Sequence, residues 1–181
     1  MPRADGQGGA PFGFILTLIF VMPRLDLADQ EFCKMDKVQL REKMKERRLL
    51  IKGQERLDFA QAAATRLMEA DLLSGLDNIG LFSSVRDEID TEPLFNDLVC
   101  SGRRVYFPKM DMKHRLLGWG QVDSLDSMEK GPFGIFEPAS ATQVVAHLDL
   151  IVVPGLGFGL DGGRLGYGAG LYDRTLEAFQ G

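Results

Sequence analysis

The order of apolar runs and helical segments predicts an α/β fold, a single-domain three-layer Rossmann-like sheet with helices on both faces. Three short apolar runs carry this prediction: NIGLFSSV at residues 78–85, RVYF at 104–107 (which Pro108 is expected to end) and LDLIVV at 148–153. Apart from Asp149, the last run is continuously apolar, which is typical of a strand covered on both faces. Buried strands that alternate with helices form parallel sheets through right-handed crossovers, so we expect helices on the two faces of this sheet.

Four segments have the composition of helices, two before the first apolar run, one between the first and second runs, and one after the last. The first contains strong helix formers without Gly or Pro, and Gly53 ends it. The third is expected to begin with Thr91 as its N-cap, because Pro93 suits a first helical turn. The predicted helices are residues 36–52, 55–73, 92–100 and 172–179; a further strand is expected at 116–122 and a loop at 131–138.

The bulk composition argues against several classes of function. The 181 residues, 45% of them hydrophobic, suit one domain. A formal net charge of -5 argues against nucleic-acid binding, which needs clustered cations. Cys33 and Cys100 lack a CxxC partner or a nearby histidine, so two free thiols in a reducing, cytoplasmic compartment are expected. His114 and His147 belong to no visible triad or metal motif.

The N-terminal segment differs in composition from the rest of the chain. Its apolar run, FGFILTLIFVM at residues 12–22, is shorter than the about 20 residues that span a bilayer, and no A-x-A cleavage pattern follows it. We therefore expect residues 1–34 to be a disordered extension outside the fold, with a working start near Met35. A peripheral-membrane or organelle-targeting role is the alternative.

The segment after the third apolar run is rich in glycine and carries two charged residues. Glycine lets the backbone approach a ligand closely, and free N–H groups before a helix bind phosphate. The match to G-x-G-x-x-G at residues 157–162 is weak, because the second strand after the helix and the acidic residue about 20 positions on that this fingerprint also requires do not follow. A Walker A triplet is absent as well. Arg164 can neutralise phosphoryl charge and Asp173 can bind Mg²⁺, so a nucleotide site is favoured over a plain turn.

The same segment resembles the signature of a known enzyme family. PGLGF at residues 154–158 and GRLGYGAGLYDR at 163–174 are similar to PGLGFD..G.RLGYG.GYYDR of the 5-formyltetrahydrofolate cyclo-ligases, also called methenyltetrahydrofolate synthetases. KVQLR at 37–41 resembles the K-x-x-x-R helix of that family, and DEIDT at 87–91 resembles its E-I-[DE]-T segment. The resemblance covers residues 36–181.

This resemblance implies a phosphate-binding role for several residues. From spacing alone, Lys37 and Arg41 lie on one helical face with Lys45 and Arg48, and a solvated basic stripe is the simpler interpretation. The resemblance instead assigns Lys37 and Arg41 to the ATP phosphates and leaves Lys45 and Arg48 solvated. It assigns Arg164 to the γ-phosphoryl group. The segment expected to cradle the ATP phosphates comprises Leu165, Gly166, Tyr167, Gly168, Ala169 and Gly170.

The remaining assignments concern folate and metal. The resemblance implies that Glu88 binds the polar edge of the pterin ring, because a carboxylate accepts hydrogen bonds from amino-pyrimidine donors. Tyr172 is expected to flank both ligands, and Asp173 to bind Mg²⁺. Phe82 and Phe133 are candidates for stacking on the pterin, although each suits a plain core position equally.

The function that the resemblance implies is the ATP- and Mg²⁺-dependent conversion of 5-formyltetrahydrofolate to 5,10-methenyltetrahydrofolate, by a monomer without nucleic-acid or membrane partners. The sequence departs from the family pattern at two points: Leu171 replaces the first tyrosine of a Tyr-Tyr pair, and the family usually continues beyond the equivalent of Gly181. We therefore expect residues 35–181 to form a cyclo-ligase-like domain that lacks its C-terminal segment. The alternatives are a truncated nucleotide- or folate-binding module without turnover and, from the G-x-G-x-x-G match, an NAD(P) dehydrogenase.

Overall fold

A mixed five-stranded sheet forms the centre of the computed structural model, which describes residues 14–17, 35–141, 148–159 and 162–177. Within these described ranges the strands are β1 (Phe14–Thr17), β2 (Asn78–Gly80), β3 (Arg104–Asp111), β4 (Leu116–Gln121), β5 (Met128–Lys130), β6 (Phe136–Pro138), β7 (Leu150–Val153), β8 (Gly157–Phe158) and β9 (Arg164–Leu165). The central sheet has the order β1-β7-β2-β3-β4, in which the first four strands are parallel and β4 is antiparallel to β3. The pairs β5-β6 and β8-β9 form two small antiparallel sheets.

Helices cover both faces of the sheet. They are α1 (Lys37–Leu50), α2 (Gln54–Glu69), α3 (Glu92–Cys100) and α4 (Leu171–Glu177). Along β7, Leu150 and Val152 pack into the core formed with α2 and α3, whereas Ile151 and Val153 pack on the opposite face with Trp119 and with residues of α4. This alternation buries β7 on both sides, and the predicted three-layer architecture is confirmed.

The strand predicted at residues 78–85 ends at Gly80, so the prediction is wrong for residues 81–85. Residues 81–91 form a loop instead, because side chains of the loop bond its own backbone. The Ser84 hydroxyl donates to Ile89 O at 2.7 Å, and the Thr91 hydroxyl donates to Phe82 O at 3.0 Å. Thr91 does precede α3, but its side chain makes no capping hydrogen bond to the helix.

Pro108 does not end β3, which continues to Asp111. Pairing with β2 stops at Tyr106, so Pro108 lies where β3 has β4 as its neighbour and β2 no longer flanks it. A proline is tolerated at such an edge, because its missing N–H leaves no ladder partner unpaired.

The segment 131–138, predicted as a loop, ends in the short strand β6 rather than remaining irregular. Gly131 N donates to Ile135 O at 2.7 Å, and this turn brings β6 back to pair with β5. Phe133 at the turn has φ of 59°, a left-handed conformation that is strained for a residue with a side chain.

The N-terminal segment contributes one strand to the sheet. β1 pairs in parallel with β7, from Phe14 opposite Leu150 to Thr17 opposite Val153. For these four residues the prediction that residues 1–34 lie outside the fold is wrong, because β7 offers them an edge with free backbone groups. The rest of the segment lies outside the described residues. No helix in the described part of the chain is long and apolar enough to cross a membrane.

Candidate active site

Two loops leave the sheet at the same edge and define the candidate site. The glutamate loop (residues 81–91) follows β2, and the glycine loop (residues 154–170) follows β7. Because β2 and β7 are parallel neighbours, both loops begin at adjacent carboxyl ends, where open α/β sheets bind their ligands.

Arg164 holds the two ends of the glycine loop together. Its Nη1 donates to Pro154 O at 2.9 Å, and its Nη2 forms an ion pair with Asp173 on α4. The guanidinium carbon lies 5.8 Å from the centre of the Tyr172 ring. The structure thus brings together three residues that the sequence assigned to ATP, metal and both ligands.

Helix α1 brings further cations to this loop. A capping box starts the helix: the Asp36 carboxylate accepts hydrogen bonds from the backbone of the first turn, and the Gln39 side chain accepts one from Asp36 N. Lys37 is exposed in that turn. One turn later, Arg41 Nε donates to Gly166 O at 2.9 Å. Arg41 therefore touches the predicted phosphate cradle, and Lys37 lies on the same helical face.

The backbone of the cradle turns at two glycines. Gly168 has φ of 105° and Gly170 has φ of 66°, which side-chain-bearing residues rarely adopt. A Cβ atom at Gly168 would lie 3.7 Å from the Arg41 guanidinium. Leu165 is the last residue of β9, and Ala169 O accepts from Arg174 Nη2 at 2.9 Å. These contacts place every predicted cradle residue in one loop beside α1 and α4.

Glu88 is a buried carboxylate in the glutamate loop, with 6% of its surface exposed. Its Oε2 accepts from Val85 N at 3.0 Å. Burial raises the pKa of Glu88 above its ordinary value, while hydrogen bonds from the Tyr167 hydroxyl and the Val85 amide and the charge of Arg48 oppose the rise. A buried, partly satisfied carboxylate of this kind suits recognition of ligand N–H donors.

Two tyrosines connect Glu88 to the glycine loop. Burial raises the pKa of the Tyr167 hydroxyl, and the negative charge of Glu88 raises it further. Burial also raises the pKa of Tyr172, again with a contribution from Glu88. Both phenols therefore stay protonated at neutral pH beside this carboxylate. The predicted folate-binding residue and the predicted nucleotide loop thus form one site.

The two phenylalanines proposed for stacking lie in different surroundings. Phe82 is buried in the main core, in the cluster against which Tyr172 packs. Phe133 is 80% exposed at the strained turn between β5 and β6. Their roles toward the pterin stay predictions.

Arg48 is a residue of the site that sequence reasoning missed. Lys45 is solvated and pairs with Glu42 at 2.7 Å, as predicted, but Arg48 is buried, so its predicted solvation is wrong. It follows buried Met44 by four positions, so the two share the inward face of α1. That spacing was the signal available in the sequence.

Asp173 is the predicted metal ligand, and its side chain is 65% exposed. Within the described ranges, no group of three or more His, Cys, Asp or Glu side chains could hold a metal ion. Mg²⁺ commonly binds through one or two carboxylates and substrate phosphates, and keeps several waters. A lone exposed carboxylate beside a phosphate cradle fits that mode of binding.

Comparison with known proteins gives this site its family. A model of the 5-formyltetrahydrofolate cyclo-ligase family matches residues 33–181. The 5-formyltetrahydrofolate cyclo-ligase of Escherichia coli K12 is 30% identical over 141 residues, which are 76% of this chain and 78% of that protein. The mouse 5-formyltetrahydrofolate cyclo-ligase is 27% identical over 146 residues, which are 76% of this chain and 72% of that protein.

Two solved structures have a similar fold. The NMR structure of Aquifex aeolicus 5,10-methenyltetrahydrofolate synthetase gives a TM-score of 0.69 at 30% identity and covers 79% of this chain and 73% of its own. The structure of the Mycoplasma pneumoniae 5,10-methenyltetrahydrofolate synthetase gives a TM-score of 0.60 at 23% identity. It covers 79% of this chain and 78% of its own, and supports the fold. The matched model includes both loops and α1, so the chain belongs to the 5-formyltetrahydrofolate cyclo-ligase family.

Proposed function

We propose that this protein converts 5-formyltetrahydrofolate to 5,10-methenyltetrahydrofolate with consumption of ATP and release of ADP and phosphate. One observation carries the proposal: a buried carboxylate, Glu88, acts on Tyr167 of a glycine loop whose backbone carbonyls are bonded by arginines. The carboxylate suits an amino-pyrimidine, and the cationic loop suits a polyphosphate.

The phosphate side of the site uses Lys37, Arg41 and Arg164. The formyl oxygen of the folate attacks the γ-phosphorus of ATP, and ADP leaves. Phosphoryl transfer of this kind depends on positioning and on neutralising charge, which cations around a glycine loop supply. Arg164 is the residue best placed to meet the transferred group, because it joins both ends of the loop.

The second step needs no side-chain nucleophile. Phosphorylation makes the formyl carbon electrophilic, folate nitrogen 10 closes the ring, and phosphate departs. The protein must therefore hold the folate in register with ATP. Glu88 would accept hydrogen bonds from the pterin, and Tyr172 would flank both ligands. The strained, exposed Phe133 would close over the pterin, and Phe82 would support it from the core.

A Mg²⁺ ion would be held by Asp173 together with phosphate oxygens, and would supply charge neutralisation to the nucleotide. Asp173 pairs with Arg164 in the structure. Binding of nucleotide and metal would thus release Arg164 toward the phosphoryl group. We further propose that the protein acts as a cytoplasmic monomer without nucleic-acid or membrane partners.

The test is an absorbance assay at the methenyltetrahydrofolate band with 5-formyltetrahydrofolate, ATP and Mg²⁺. ATP-dependent growth of the band is the expected result. Glu88→Gln should raise the KM for folate about tenfold, since it removes one charge-assisted acceptor, and should leave the KM for ATP nearly unchanged. Folded protein that binds ATP by calorimetry but forms no methenyl product would overturn the proposal in favour of a binding module without turnover.

A further inference from the structure

Arg48 is a buried cation that the proposed reaction does not use. It lies on α1, two turns after Arg41, with 8% of its surface exposed. Its Nε donates to Asp87 Oδ2 at 2.8 Å, and its Nη2 donates to the Tyr167 hydroxyl. The guanidinium carbon also lies 5.3 Å from the centre of the Tyr167 ring. A buried arginine is costly, so its contacts with both loops require an explanation.

The donor and acceptor roles in this cluster are fixed by chemistry. A guanidinium can only donate, so the Tyr167 oxygen accepts from Arg48. The phenol then has its single proton left, and the negative charge of Glu88, which acts on the Tyr167 hydroxyl, directs that proton toward the Glu88 carboxylate. The chain of donors therefore runs from Arg48 through Tyr167 to the Glu88 carboxylate. Arg48 thereby keeps Glu88 as an acceptor and fixes where its carboxylate lies.

Arg48 also joins the two loops of the site. Its bond to Asp87 holds the residue before Glu88, and its bond to Tyr167 holds the glycine loop. Arg41 holds the preceding residue, Gly166, from the same face of α1. Two arginines seven positions apart thus contact two consecutive loop residues.

We propose that Arg48 is a positioning residue for folate binding, which acts through Tyr167 on Glu88. The proposal rests on the assignment of Glu88 to the substrate in the proposed function. The role proposed for Arg48 includes no contact with either ligand. Its loss would leave the phenol free to accept from other donors and would let the Glu88 carboxylate move, so folate binding would weaken more than ATP binding.

The experiment compares Arg48→Met, Arg48→Lys and the solvated control Lys45→Met in steady-state kinetics. Arg48→Met should raise the KM for 5-formyltetrahydrofolate about tenfold, with the KM for ATP and kcat changed by less than about threefold. Arg48→Lys should recover part of this loss, because a lysine can still donate to the Tyr167 hydroxyl. Lys45→Met should match the unaltered protein.

A double-mutant cycle with Tyr167→Phe separates positioning from simple support of the fold. In the Tyr167→Phe background, Arg48→Met should change the folate KM by less than about threefold, because the path through Tyr167 is already lost and only the bond to Asp87 remains to be removed. Equal effects in both backgrounds would overturn the proposal, as would a lower melting temperature with an unchanged folate KM. If Arg48→Met does not fold, Arg48→Lys and Tyr167→Phe decide: normal folate KM in both would overturn it.

Failure of the underlying site assignment has a different signature. If Glu88→Gln leaves the folate KM unchanged, Glu88 does not bind the pterin and the role of Arg48 falls with it. If Glu88→Gln raises that KM but Arg48→Met does not, the assignment of Glu88 stands and the positioning role of Arg48 alone is refuted.

Discussion

The glutamate loop and the glycine loop leave neighbouring strands but are held by different means. The glutamate loop is held mainly by its own side chains: Thr91 N donates to Ser84 Oγ at 3.1 Å, and the Thr91 hydroxyl donates to Phe82 O. The glycine loop is held by arginines, of which Arg41 and Arg174 come from helices outside it. Apart from the bonds of Arg48 to Asp87 and of Arg56 to Arg86 O, the glutamate loop is fixed mainly by hydrogen bonds within itself, whereas the glycine loop is fixed by charged side chains that bond backbone carbonyls.

This difference suits the two ligands. Neutral hydrogen bonds within one loop need no exchange when a ligand enters, so Glu88 can be in place before folate arrives. Arginines that bond carbonyl groups can exchange them for phosphate oxygens, which are stronger acceptors. The glycine loop is therefore expected to rearrange when ATP binds, and the glutamate loop to stay as it is.

The largest effect is expected when the main cation of the glycine loop is removed. Arg164→Ala should lower kcat on the order of a hundredfold or more, because the transferred phosphoryl group loses its stabilising charge. The KM for folate should change little, since Glu88 and its loop are untouched. Single-turnover absorbance measurements separate the chemical step from binding.

Arg174→Ala is the matched control for this variant. Arg174 also donates to a carbonyl of the glycine loop, Ala169 O, but the proposed reaction gives it no phosphoryl contact. It should keep kcat within about fivefold of the unaltered protein, an effect of about 1 kcal/mol. Equal losses in both variants would mean that Arg164 acts by supporting the loop and not by stabilising charge.

The glutamate loop should lose stability when its internal hydrogen bonds are broken. Thr91→Val keeps the shape of this buried side chain but leaves Phe82 O without its donor, at a cost of about 1–3 kcal/mol in the free energy of unfolding. Denaturant titration measures the loss. Ser101→Ala, which removes a half-exposed hydroxyl bond to Leu98 O at the end of α3, is the control and should cost well under half as much.

The two loops also differ in how far the sequence predicts them. The glycine loop is contiguous, and its residues form a motif that can be read along the chain from Arg164 to Asp173. The contacts that complete the site join distant positions: Arg48 and Tyr167 lie 119 residues apart, and Arg41 and Gly166 lie 125 apart. The spacing from Met44 places Arg48 on the inward face of α1, but no local pattern specifies Tyr167 as its partner.

The same distinction applies to the sheet. Helices α1 to α4 and the apolar run of β7 were predicted correctly because they depend on local spacing. The run at 78–85 was predicted too long, because β2 ends at Gly80 and side-chain bonds from Ser84 and Thr91 hold the loop that follows. The strand β1 could not be predicted, because its pairing depends on an edge of β7 more than 130 positions away. Continuation of β3 through Pro108 likewise depends on where β2 ends, which the sequence around Pro108 does not contain.

Glu88 is the point at which the stability of the glutamate loop conflicts with its function. Burial raises the pKa of the Glu88 carboxyl, so the folded state favours the protonated form more strongly than the unfolded state does. Its contribution to stability is therefore largest below the ordinary glutamate pKa and is lost as pH rises through the raised value. Glu88→Gln should raise the free energy of unfolding by about 1 kcal/mol at neutral pH, while folate binding weakens.

Urea titrations at several pH values test this sign. The gain in Glu88→Gln should shrink as pH falls toward 4.5, the ordinary value for a glutamate, because the unaltered protein then becomes protonated as well. A variant that is less stable than the unaltered protein at neutral pH would show that the hydrogen bonds from Val85 and Tyr167 outweigh the cost of burying the charge.

The smallest effect concerns the response of the two loops to salt. Raising the salt concentration from about 0.1 M to 1 M shortens the screening length from about 10 Å to 3 Å and weakens partly exposed charged contacts by about 0.5 kcal/mol. Backbone amides of the glycine loop should then exchange about twofold faster, while those of residues 89–91 keep their rates. Hydrogen exchange followed by mass spectrometry compares both loops in one sample.

Arg174→Gln should reduce the salt response of the glycine loop, because one exposed cation that holds Ala169 O is gone. Equal acceleration in both loops would mean that salt loosens the whole domain, and the distinction between locally held and cation-held loops would fail.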